Sequence, residues 1–385
     1  MTKTMNSNMG KERKRIGIEV QRLFRPKKHG MEVVALELLR ELQTIDSKHE
    51  YTVFVKKDKD SCIESSAQLK VHELGDWPYP IWEQMILPRT IRKMPLDLLH
   101  ATCNTAALFP SIPLVLTLHD IIYLEKLDMA GTWYQNFGNI YRRYVVPSAV
   151  KKARYIITVS EFEKKVMMDR LSIPEERIKV IHNAVNTRFN SRYLKSDIEA
   201  FRHSLLLPET FALFLGNTAP KKNTKNTIDA YAKYLANTTT PYPLVILDYP
   251  KELVVDQLHR SGYGSLIDYF IFPGYIRPDQ MPLMYNAAIL FLYPSLRESF
   301  GLPILEGMAC GVPVITSNTS SMPEVAGNAA LLIDPKDVSQ MAEAIEKVLD
   351  GEVNRQEMKA RGLKRAEAFT WRNAAIKLLD VYESL

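Results

Sequence analysis

The sequence predicts an α/β protein of two doubly wound domains, each a parallel sheet with helices on both faces. Short apolar runs alternate with amphipathic helical patterns along almost all of the 385 residues. Several runs are continuously hydrophobic, which is typical of strands that are buried on both faces. A repeated order of strand, helix and strand favours parallel sheets, and roughly a dozen strands fit two such sheets better than one.

The predicted elements follow one another in the same order in both halves of the chain. Each strand is a short apolar run, and each helix has apolar residues at intervals of three and four. The predicted strands are 16–20, 51–55, 96–99, 114–119, 155–159 and 178–181, followed by 211–215, 244–247, 269–272, 289–293, 312–316 and 330–333. The predicted helices include 32–42, 136–152, 161–171, 224–235, 280–287, 305–309 and 339–349.

A polar stretch at 186–195 is the best candidate for a linker between the two domains. We therefore expect an N-terminal domain of residues 1–190 and a C-terminal domain of residues 191–370. Ligands of doubly wound sheets bind at the carboxyl ends of the strands. The cleft between the two domains is accordingly the expected site.

The positive charge of the chain is concentrated near its N-terminus. The formal net charge is +6, and residues 1–28 contain nine Lys or Arg against two acidic residues, so the rest is near neutral. A basic segment attracts anionic lipid headgroups or a phosphorylated substrate; the alternative is a solvated tail. The segment lacks interleaved aromatic side chains, so we expect no nucleic acid partner.

Metal, disulfide and membrane signals are missing from the sequence. Cys62, Cys103 and Cys310 form no pair with the spacing of a zinc site or a disulfide framework. Asp58 and Asp60 flank a lysine and are interpreted as a solvated turn, so no metal site is expected. No apolar run approaches the roughly 20 residues of a membrane helix, and no apolar signal-peptide core follows the first charges. These features predict a cytoplasmic protein.

The segment 294–316 is the richest in chemistry. Pro303 suits the first turn of a helix, so the preceding loop presents free helical N–H groups where the strand 289–293 ends, and such N–H groups bind phosphate. Glu298 and Glu306 bracket this corner, and a carboxylate accepts hydrogen bonds from both hydroxyls of a sugar diol. The alternative is that both acids only favour the helix N-terminus.

Three further positions lie where this architecture binds ligands. Lys221 and Lys222 occupy the turn after the strand 211–215 and suit a diphosphate leaving group, unless the turn is only solvated. His119 ends the strand 114–119, although a lone histidine is often structural. Gly30 lies between the first strand and the first helix and allows close approach of a phosphate or sugar, a weak signal alone. The glycine-rich motifs of dinucleotide and P-loop sites are absent from the sequence.

The motifs together resemble the retaining GT-B glycosyltransferases of family 4, also called group 1. The resemblance is carried by Arg297-Glu-Ser-Phe-Gly-Leu-Pro-Ile-Leu-Glu306, by Gly311-Val-Pro-Val-Ile-Thr and by Ser321-Met-Pro-Glu-Val-Ala. Weaker matches in the expected order are Trp82-Glu-Gln84, Thr117-Leu-His-Asp120, Thr158-Val-Ser-Glu-Phe162, Val180-Ile-His-Asn183, Pro220-Lys-Lys-Asn223 and Phe369-Thr-Trp371.

The resemblance implies a role for each candidate residue. Glu298 would contact the hydroxyls of the donor sugar, with Lys222 and His119 as the other catalytic candidates. Glu306 would bind the ribose hydroxyls. The remaining positions would bind the diphosphate or the base: Phe300, Gly301, Leu302, Gly30, Gly216, Asn217, Lys221 and Gly274. Many members carry Arg where this chain has Asn217. The resemblance therefore implies that Lys221 replaces this arginine as a cationic contact of the diphosphate.

The resemblance also implies the fold and the reaction. It predicts two Rossmann-like domains that face each other across a cleft, with residues 371–385 packing back on the first. A hexose, with a mannose-like sugar among the options, would move from a nucleotide diphosphate sugar to a glycan or lipid-linked acceptor in surface polysaccharide or glycolipid synthesis. No cofactor or metal is expected, and peripheral contact with the inner membrane face would suit the basic segment.

Four alternatives to this function remain open. They are a non-catalytic nucleotide or glycan binder, a UDP-sugar epimerase, a phosphorylase, and a nucleic-acid-binding protein that binds through its basic segment.

Overall fold

A computed structural model describes residues 13–125 and 133–385 of the chain. The described residues form two compact units. The first runs to His182 and is completed by Trp371–Leu385, and the second is Asn183–Thr370.

The first unit is built on a seven-stranded parallel sheet in the order β3-β2-β1-β4-β5-β6-β7. Its strands are β1 Arg15–Glu19, β2 Glu50–Lys56, β3 Leu69–Leu74, β4 Leu98–Ala101, β5 Leu114–Thr117, β6 Tyr155–Thr158 and β7 Ile178–Val180. Its helices are α1 Gly30–Ile45, α2 Tyr79–Ile81, α3 Leu87–Ile91, α4 Ile122–Glu125, α5 Trp133–Lys152, α6 Glu161–Leu171 and, from the end of the chain, α15 Trp371–Glu383. A single π-helical turn, Trp82–Ile86, joins α2 to α3, and a 3₁₀ turn, Glu175–Arg177, precedes β7.

The second unit repeats the design with six parallel strands in the order β10-β9-β8-β11-β12-β13. Its strands are β8 Ala212–Leu215, β9 Leu244–Leu247, β10 Phe270–Ile271, β11 Leu290–Tyr293, β12 Val314–Ser317 and β13 Leu331–Ile333. Its helices are α7 Lys195–Ser204, α8 Thr224–Asn237, α9 Lys251–Arg260, α10 Met281–Ala287, α11 Leu302–Ala309, α12 Met322–Ala326, α13 Val338–Leu349 and α14 Arg355–Glu367, with 3₁₀ turns at Pro220–Lys222 and Gly264–Tyr269.

Both sheets reverse their strand order at one place, next to the first strand of each unit. In the first unit β1 pairs with both β2 and β4, and in the second β8 pairs with both β9 and β11. The crevice at such a switch point, beyond the carboxyl ends of the strands, is where ligands of doubly wound sheets bind. The loops that follow β1, β4, β8 and β11 are therefore the places to look for function.

The division between the units lies upstream of the boundary that the sequence predicts after residue 190. The stretch interpreted as a linker packs into the second unit instead. Asn286 donates its side-chain N–H to the carbonyl oxygen of Asn190 at 2.9 Å, and the rings of Phe189 and Tyr285 lie 5.9 Å apart, edge to face. The polar composition of this stretch conceals these anchors, and α7 begins at the point where the linker was expected to end.

The final helix, α15, packs within the first unit. It packs against α1. The hydroxyl of Tyr382 lies 2.7 Å from Nδ1 of His100 on β4, and both side chains are buried. Near the end of α15, Glu383 pairs with Lys48 at 3.3 Å.

The N-terminal basic segment lies partly outside the described residues, because the description begins at residue 13. Three of its later cations pair with carboxylates of the first unit: Arg13 with Glu50, Arg15 with Asp97, and Lys28 with Asp60. Across residues 13–125 and 133–385, no helix combines the length and the apolar character that a bilayer span requires.

Candidate active site

The loops after β8 and β11 meet at the switch point of the second sheet. Asn223 joins them, because its side-chain amide donates to the carbonyl oxygen of Pro294 at 3.0 Å and to that of Pro335 at 2.6 Å. The backbone of Asn223 has a φ of 61°, a left-handed conformation that asparagine tolerates better than most residues. The N–H of Leu296 also donates to the carbonyl oxygen of Lys221 at 2.7 Å. The lysine turn is thus fixed against the loop that carries Glu298.

Lys222 and Glu298 are in direct contact. Nζ of Lys222 lies 2.7 Å from Oε1 of Glu298 and 2.9 Å from the hydroxyl oxygen of Tyr293, and it lies over the Tyr293 ring at 4.8 Å from the centroid. Burial, and then the Glu298 carboxylate, raise the pKa of Tyr293 far above its ordinary value. Tyr293 therefore stays neutral beside the ion pair, and Lys222 is the positive charge of this corner.

Two serines fix the backbone of Glu298. The Ser320 hydroxyl accepts the N–H of Glu298 at 3.0 Å and donates to its carbonyl oxygen at 2.6 Å. The Ser321 hydroxyl lies 2.9 Å from the carbonyl oxygens of both Glu298 and Phe300. A site residue held by several hydrogen bonds loses little conformational freedom when a ligand binds.

The helix α11 begins immediately after this loop at a glycine that cannot be replaced without strain. Gly301 has a φ of 102°, and an added Cβ would lie 3.2 Å from Cδ1 of Ile304. No side chain caps the helix, so the first N–H groups, including that of Leu302, lack intrahelical acceptors. The helix start therefore presents N–H donors and the positive end of its dipole to an anion.

Glu306 lies one turn into α11 and is only partly buried. Its Oε2 accepts the hydroxyl hydrogen of Tyr285 at 3.1 Å. Burial raises the pKa of Glu306 to about 7, although the Tyr285 hydrogen bond and the nearby Arg188 oppose the shift. A carboxyl group with this pKa changes its charge near neutral pH.

Two comparisons decide the family. Residues 29–189 match the family described as glycosyltransferase family 4, and residues 197–365 match the glycosyl transferases of group 1. O-antigen chain mannosyltransferase B of Escherichia coli is 32% identical over 274 residues, which cover 70% of this chain and 70% of that protein. The chain belongs to the group 1, family 4 glycosyltransferases.

Two further likenesses concern this transferase. The serotype-specific mannosyltransferase WbdA of Escherichia coli is 31% identical over 275 residues, and the match covers 70% of this chain but only 33% of WbdA. The crystal structure of Anabaena Alr3699/HepE in complex with UDP and glucose superimposes with a TM-score of 0.72 at 19% identity, covering 97% of this chain and 100% of that one. The structural likeness confirms the GT-B fold that the sequence predicts.

The other residues predicted around the phosphates of the transferase have different surroundings. Gly216 is needed for packing, since an added Cβ would lie 2.7 Å from Cβ of Tyr249. Asn217 turns the chain after β8, because its side-chain oxygen accepts the N–H of Ala219 at 2.8 Å. Lys221 is exposed beside this turn. Their contacts with a donor remain predictions.

Gly274, predicted to lie near the base, has a φ of 83° and open space where a Cβ would stand. The following Tyr275 is 71% exposed. The turn is therefore accessible, and its role in base binding also remains a prediction.

The predicted site residues of the first unit follow β1 and β5 in the chain: Gly30 begins α1, and His119 comes two residues after β5. His119 is buried. Its backbone N–H donates to Oδ1 of Asn104 at 2.6 Å, and Nε2 of its ring lies 3.0 Å from the carbonyl oxygen of Thr102. Nε2 is therefore the protonated nitrogen, and burial lowers the pKa of the ring. Gly30 opens α1 with no atom within 4 Å of an added Cβ, so this corner has room for a ligand.

Sequence reasoning missed the residues that position the site. Tyr293 was counted only as the end of a strand, and Ser320 lies just outside the Ser321 motif. Asn223 was part of a quoted motif, but nothing in the sequence reveals that it joins three loops. A polar residue at the end of a buried strand is the signal that could have identified Ser317, the last residue of β12, whose hydroxyl donates to the carbonyl oxygen of Ser295 at 2.6 Å.

Proposed function

We propose that the transferase moves a hexose, a mannose in the first instance, from a nucleoside diphosphate sugar to a glycan or lipid-linked acceptor in surface polysaccharide or glycolipid synthesis. The transfer retains the anomeric configuration and needs no metal. The names of the two relatives support the sugar and the setting, since both are mannosyltransferases and one acts on the O-antigen chain. The UDP and glucose of the HepE complex support a nucleotide sugar donor.

One observation carries the proposal: the Lys222–Glu298 pair lies beside the uncapped start of α11. The lysine and the helical N–H groups form a fixed positive field for a diphosphate. Glu298 offers carboxylate oxygens to the hydroxyls of the sugar, and Glu306 offers its own to the ribose. Among residues 13–125 and 133–385 no group of three or more His, Cys, Asp or Glu is arranged to hold a metal ion; independence from metal is a proposal that the assay below tests.

The proposed reaction is a displacement on one face of the sugar. The bond between C1 and the diphosphate oxygen breaks, and the hydroxyl oxygen of the acceptor bonds to C1 from the same side. The acceptor proton passes to the leaving phosphate oxygen. Lys222 and the N–H groups of Gly301 and Leu302 stabilise the negative charge that develops on the diphosphate.

The experiment combines the purified protein with GDP-mannose, UDP-glucose and UDP-galactose and measures donor hydrolysis and transfer to lipid-linked and soluble glycans. NMR of the product gives the anomeric configuration, and assays with EDTA followed by magnesium test the need for a metal. Transfer with retention in EDTA is the expected result. An inverted product, or activity that EDTA abolishes and magnesium restores, contradicts the proposal. Binding without turnover, or recovery of an epimerised sugar, assigns the protein to another class.

A membrane contact through residues 1–28 is part of the proposal for a lipid-linked acceptor at the cytoplasmic face. It is supported by the excess of cations in this segment, because anionic lipid attracts basic segments and salt weakens the attraction. Co-sedimentation with vesicles of phosphatidylglycerol, compared with vesicles of phosphatidylcholine, measures it. Equal sedimentation with both lipids contradicts it.

A further inference from the structure

The carboxyl end of β1 carries a buried acid that the proposed donor chemistry does not use. Glu19 is the last residue of β1 and is 1% exposed. Its Oε1 accepts the N–H of Gln21 at 3.0 Å, whereas its Oε2 has no hydrogen-bond partner among the described residues. Buried polar atoms without a partner are rare in folded proteins and call for a water or a ligand.

The position of Glu19 is the switch point of the first sheet. β1 pairs there with β4, and Thr102, directly after β4, donates its hydroxyl to the carbonyl oxygen of Glu19 at 2.9 Å. In the second unit the corresponding place holds Lys222 and Glu298. Because ligands of doubly wound sheets bind at such points, the location of Glu19 independently indicates a ligand.

Glu83, from the motif at residues 82–84, is a neighbouring buried acid with both oxygens occupied. Its four donors are the hydroxyls of Tyr79 at 2.8 Å, Thr105 at 2.5 Å and Tyr141 at 2.5 Å, and the amide of Gln84 at 2.7 Å. Glu83 therefore organises the wall of the site, while Glu19 has an oxygen to spare. Burial, and then Glu83, raise the pKa of Glu19 to about 8, so at pH 7 its carboxyl group can donate as well as accept.

A small cavity lies against Glu19 and adjoins a larger groove. The cavity of about 50 Å³ admits a water or one hydroxyl group but no sugar ring. The groove of about 980 Å³ has the size of a ligand site. Both are lined by Arg22, Tyr79, Tyr141 and Arg142, so a saccharide in the groove can reach Glu19 with one hydroxyl.

The groove itself combines aromatic surface with positive charge. Trp77 is 48% exposed and Phe137 is 45% exposed along it, and such faces pack against the apolar face of a sugar. Among the described residues that line the groove, four are fixed cations and one is a carboxylate: Arg22, Arg25, Lys56 and Arg142 against Asp58. Arginine is well suited to bind phosphate through paired N–H donors.

We propose that this groove binds a phosphorylated saccharide, with one sugar hydroxyl on Glu19 and the phosphate on Arg22 and Arg142. The inference deepens the proposed function and rests on it in one respect, because it makes this ligand the acceptor. The phosphate has two sources, a soluble sugar phosphate or the diphosphate of a lipid-linked sugar. Both present the same group to the arginines.

The test measures binding of mannose 1-phosphate, of methyl mannoside and of inorganic phosphate to the full chain by calorimetry. A second arm uses mannose linked through a diphosphate to farnesol in detergent micelles. The wild-type protein should bind at least one phosphorylated form tenfold or more tightly than methyl mannoside, and the stronger arm identifies the source. Equal affinity for methyl mannoside and both phosphorylated forms, or binding of inorganic phosphate as tight as that of the sugar phosphate, overturns the proposal. Absence of binding in both arms overturns it as well.

The variants separate the hydroxyl contact from the phosphate contact. Glu19→Ala should weaken binding tenfold or more, whereas Glu19→Gln, which keeps the shape and the hydrogen-bonding capacity, should stay within about threefold. Arg22→Ala combined with Arg142→Ala should remove the preference for the phosphorylated sugar. The control is Lys151→Ala, an exposed cation on α5 that does not line the groove. Binding by the Arg22 and Arg142 double variant that equals the wild type contradicts the assignment.

Donor hydrolysis keeps the two proposals distinguishable. A wild-type protein that binds the phosphorylated saccharide but neither hydrolyses nor transfers the donor would refute the proposed function and leave the groove assignment standing. Donor hydrolysis without binding of the phosphorylated saccharide would refute the groove assignment and leave the proposed function standing.

Discussion

Nζ of Lys222 lies 2.7 Å from Oε1 of Glu298, so two residues with separate predicted roles form one unit. The sequence assigns the lysine to the diphosphate and the glutamate to the sugar. In the structure the glutamate also positions the lysine, and Tyr293 accepts a second hydrogen bond from the ammonium group. A bound diphosphate would therefore join an ion pair that already exists, and the effects of substituting the two residues should be coupled.

Lys222→Ala should lower kcat/KM about ten- to a hundredfold. A hydrogen bond to a charged group contributes about 1.5–3 kcal/mol, and each 1.4 kcal/mol corresponds to about tenfold in rate. The double variant of Lys222→Ala and Glu298→Ala should lose less than the product of the single losses, because each single change leaves its partner unpaired. Steady-state kinetics on the four proteins measures the coupling.

The matched control for Lys222 is Lys225→Ala, since Lys225 is a nearby exposed lysine on α8 with no predicted role in the site. We expect a loss of less than about threefold, the range of an exposed and screened charge. Near-wild-type turnover in Lys222→Ala would remove this lysine from the mechanism. Losses that multiply in the double variant would show that the ion pair has no functional meaning.

Gly301→Ala should weaken nucleotide binding more than it weakens the fold. At a φ of 102° an alanine is strained by about 1–3 kcal/mol, and the strain lies in the backbone that presents N–H groups to the diphosphate. Gly351→Ala is the control, because Gly351 also has a positive φ of 88° but open space around an added Cβ. Thermal melts with and without donor compare the two variants. Loss of donor stabilisation in both would contradict a specific role for Gly301.

Donor affinity should rise with pH through about 7, the pKa to which burial raises Glu306. The ribose hydroxyls need the ionised carboxylate as acceptor, and its fraction increases about tenfold between pH 6 and pH 8. A nucleotide sugar is the appropriate probe because its diphosphate does not titrate in this range. Calorimetry in wild type and Glu306→Gln measures the profile, which should be flat in the variant.

Tyr285→Phe provides a second check on the same group. The Tyr285 hydroxyl donates to Glu306 and lowers its pKa, so its removal should move the midpoint of the affinity profile to higher pH. A midpoint that moves to lower pH, or a pH-dependent profile that persists in Glu306→Gln, would assign the titration to another group.

The sequence predicts the second unit well because its strands are short and buried on both faces. The predicted strand 244–247 coincides with β9, and the predicted helix 224–235 lies within α8. The edge strand β3 was missed, because half of its residues are exposed and no apolar run forms. Residue types alone cannot separate such a strand from a loop.

The candidate site was predictable in its residue types but not in its contacts. Lys222 and Glu298 are far apart in the chain, and only the parallel register of β8 and β11 brings their loops together. The conformation of Ser320, with a φ of 61°, leaves no trace in the sequence. In the sequence Glu19 is only one of the charges of a basic segment. Its burial comes from β2 and β4, which pair with β1 on either side, and the residues around Glu19 do not reveal that pairing.

Tyr382→Phe should lower the free energy of unfolding by about 1–3 kcal/mol, the cost of a buried polar atom left without a partner. The hydroxyl of Tyr382 binds Nδ1 of His100, and Thr117 binds Nε2, both at 2.7 Å. Burial lowers the pKa of His100 to about 3, so the ring is neutral in the folded state at pH 6 and pH 8. The loss should therefore be similar at both values of pH, as urea titrations can measure.

The control for Tyr382 is Tyr144→Phe, because Tyr144 is 78% exposed on α5. Water solvates its hydroxyl, so the substitution should leave the free energy of unfolding nearly unchanged. The lowered pKa of His100 also predicts how the free energy of unfolding depends on pH in acid. In the unfolded state His100 binds a proton below about pH 6.5, whereas in the folded state it binds one only near pH 3. The stability contributed by neutral His100 therefore falls as the pH drops through this range. In His100→Gln the free energy of unfolding should fall less steeply between about pH 6.5 and pH 3. An unchanged slope in this variant would show that other groups cause the fall. Equal stability of Tyr382→Phe and wild type would mean that the hydrogen bond between Tyr382 and His100 does not help to hold α15 to the first unit.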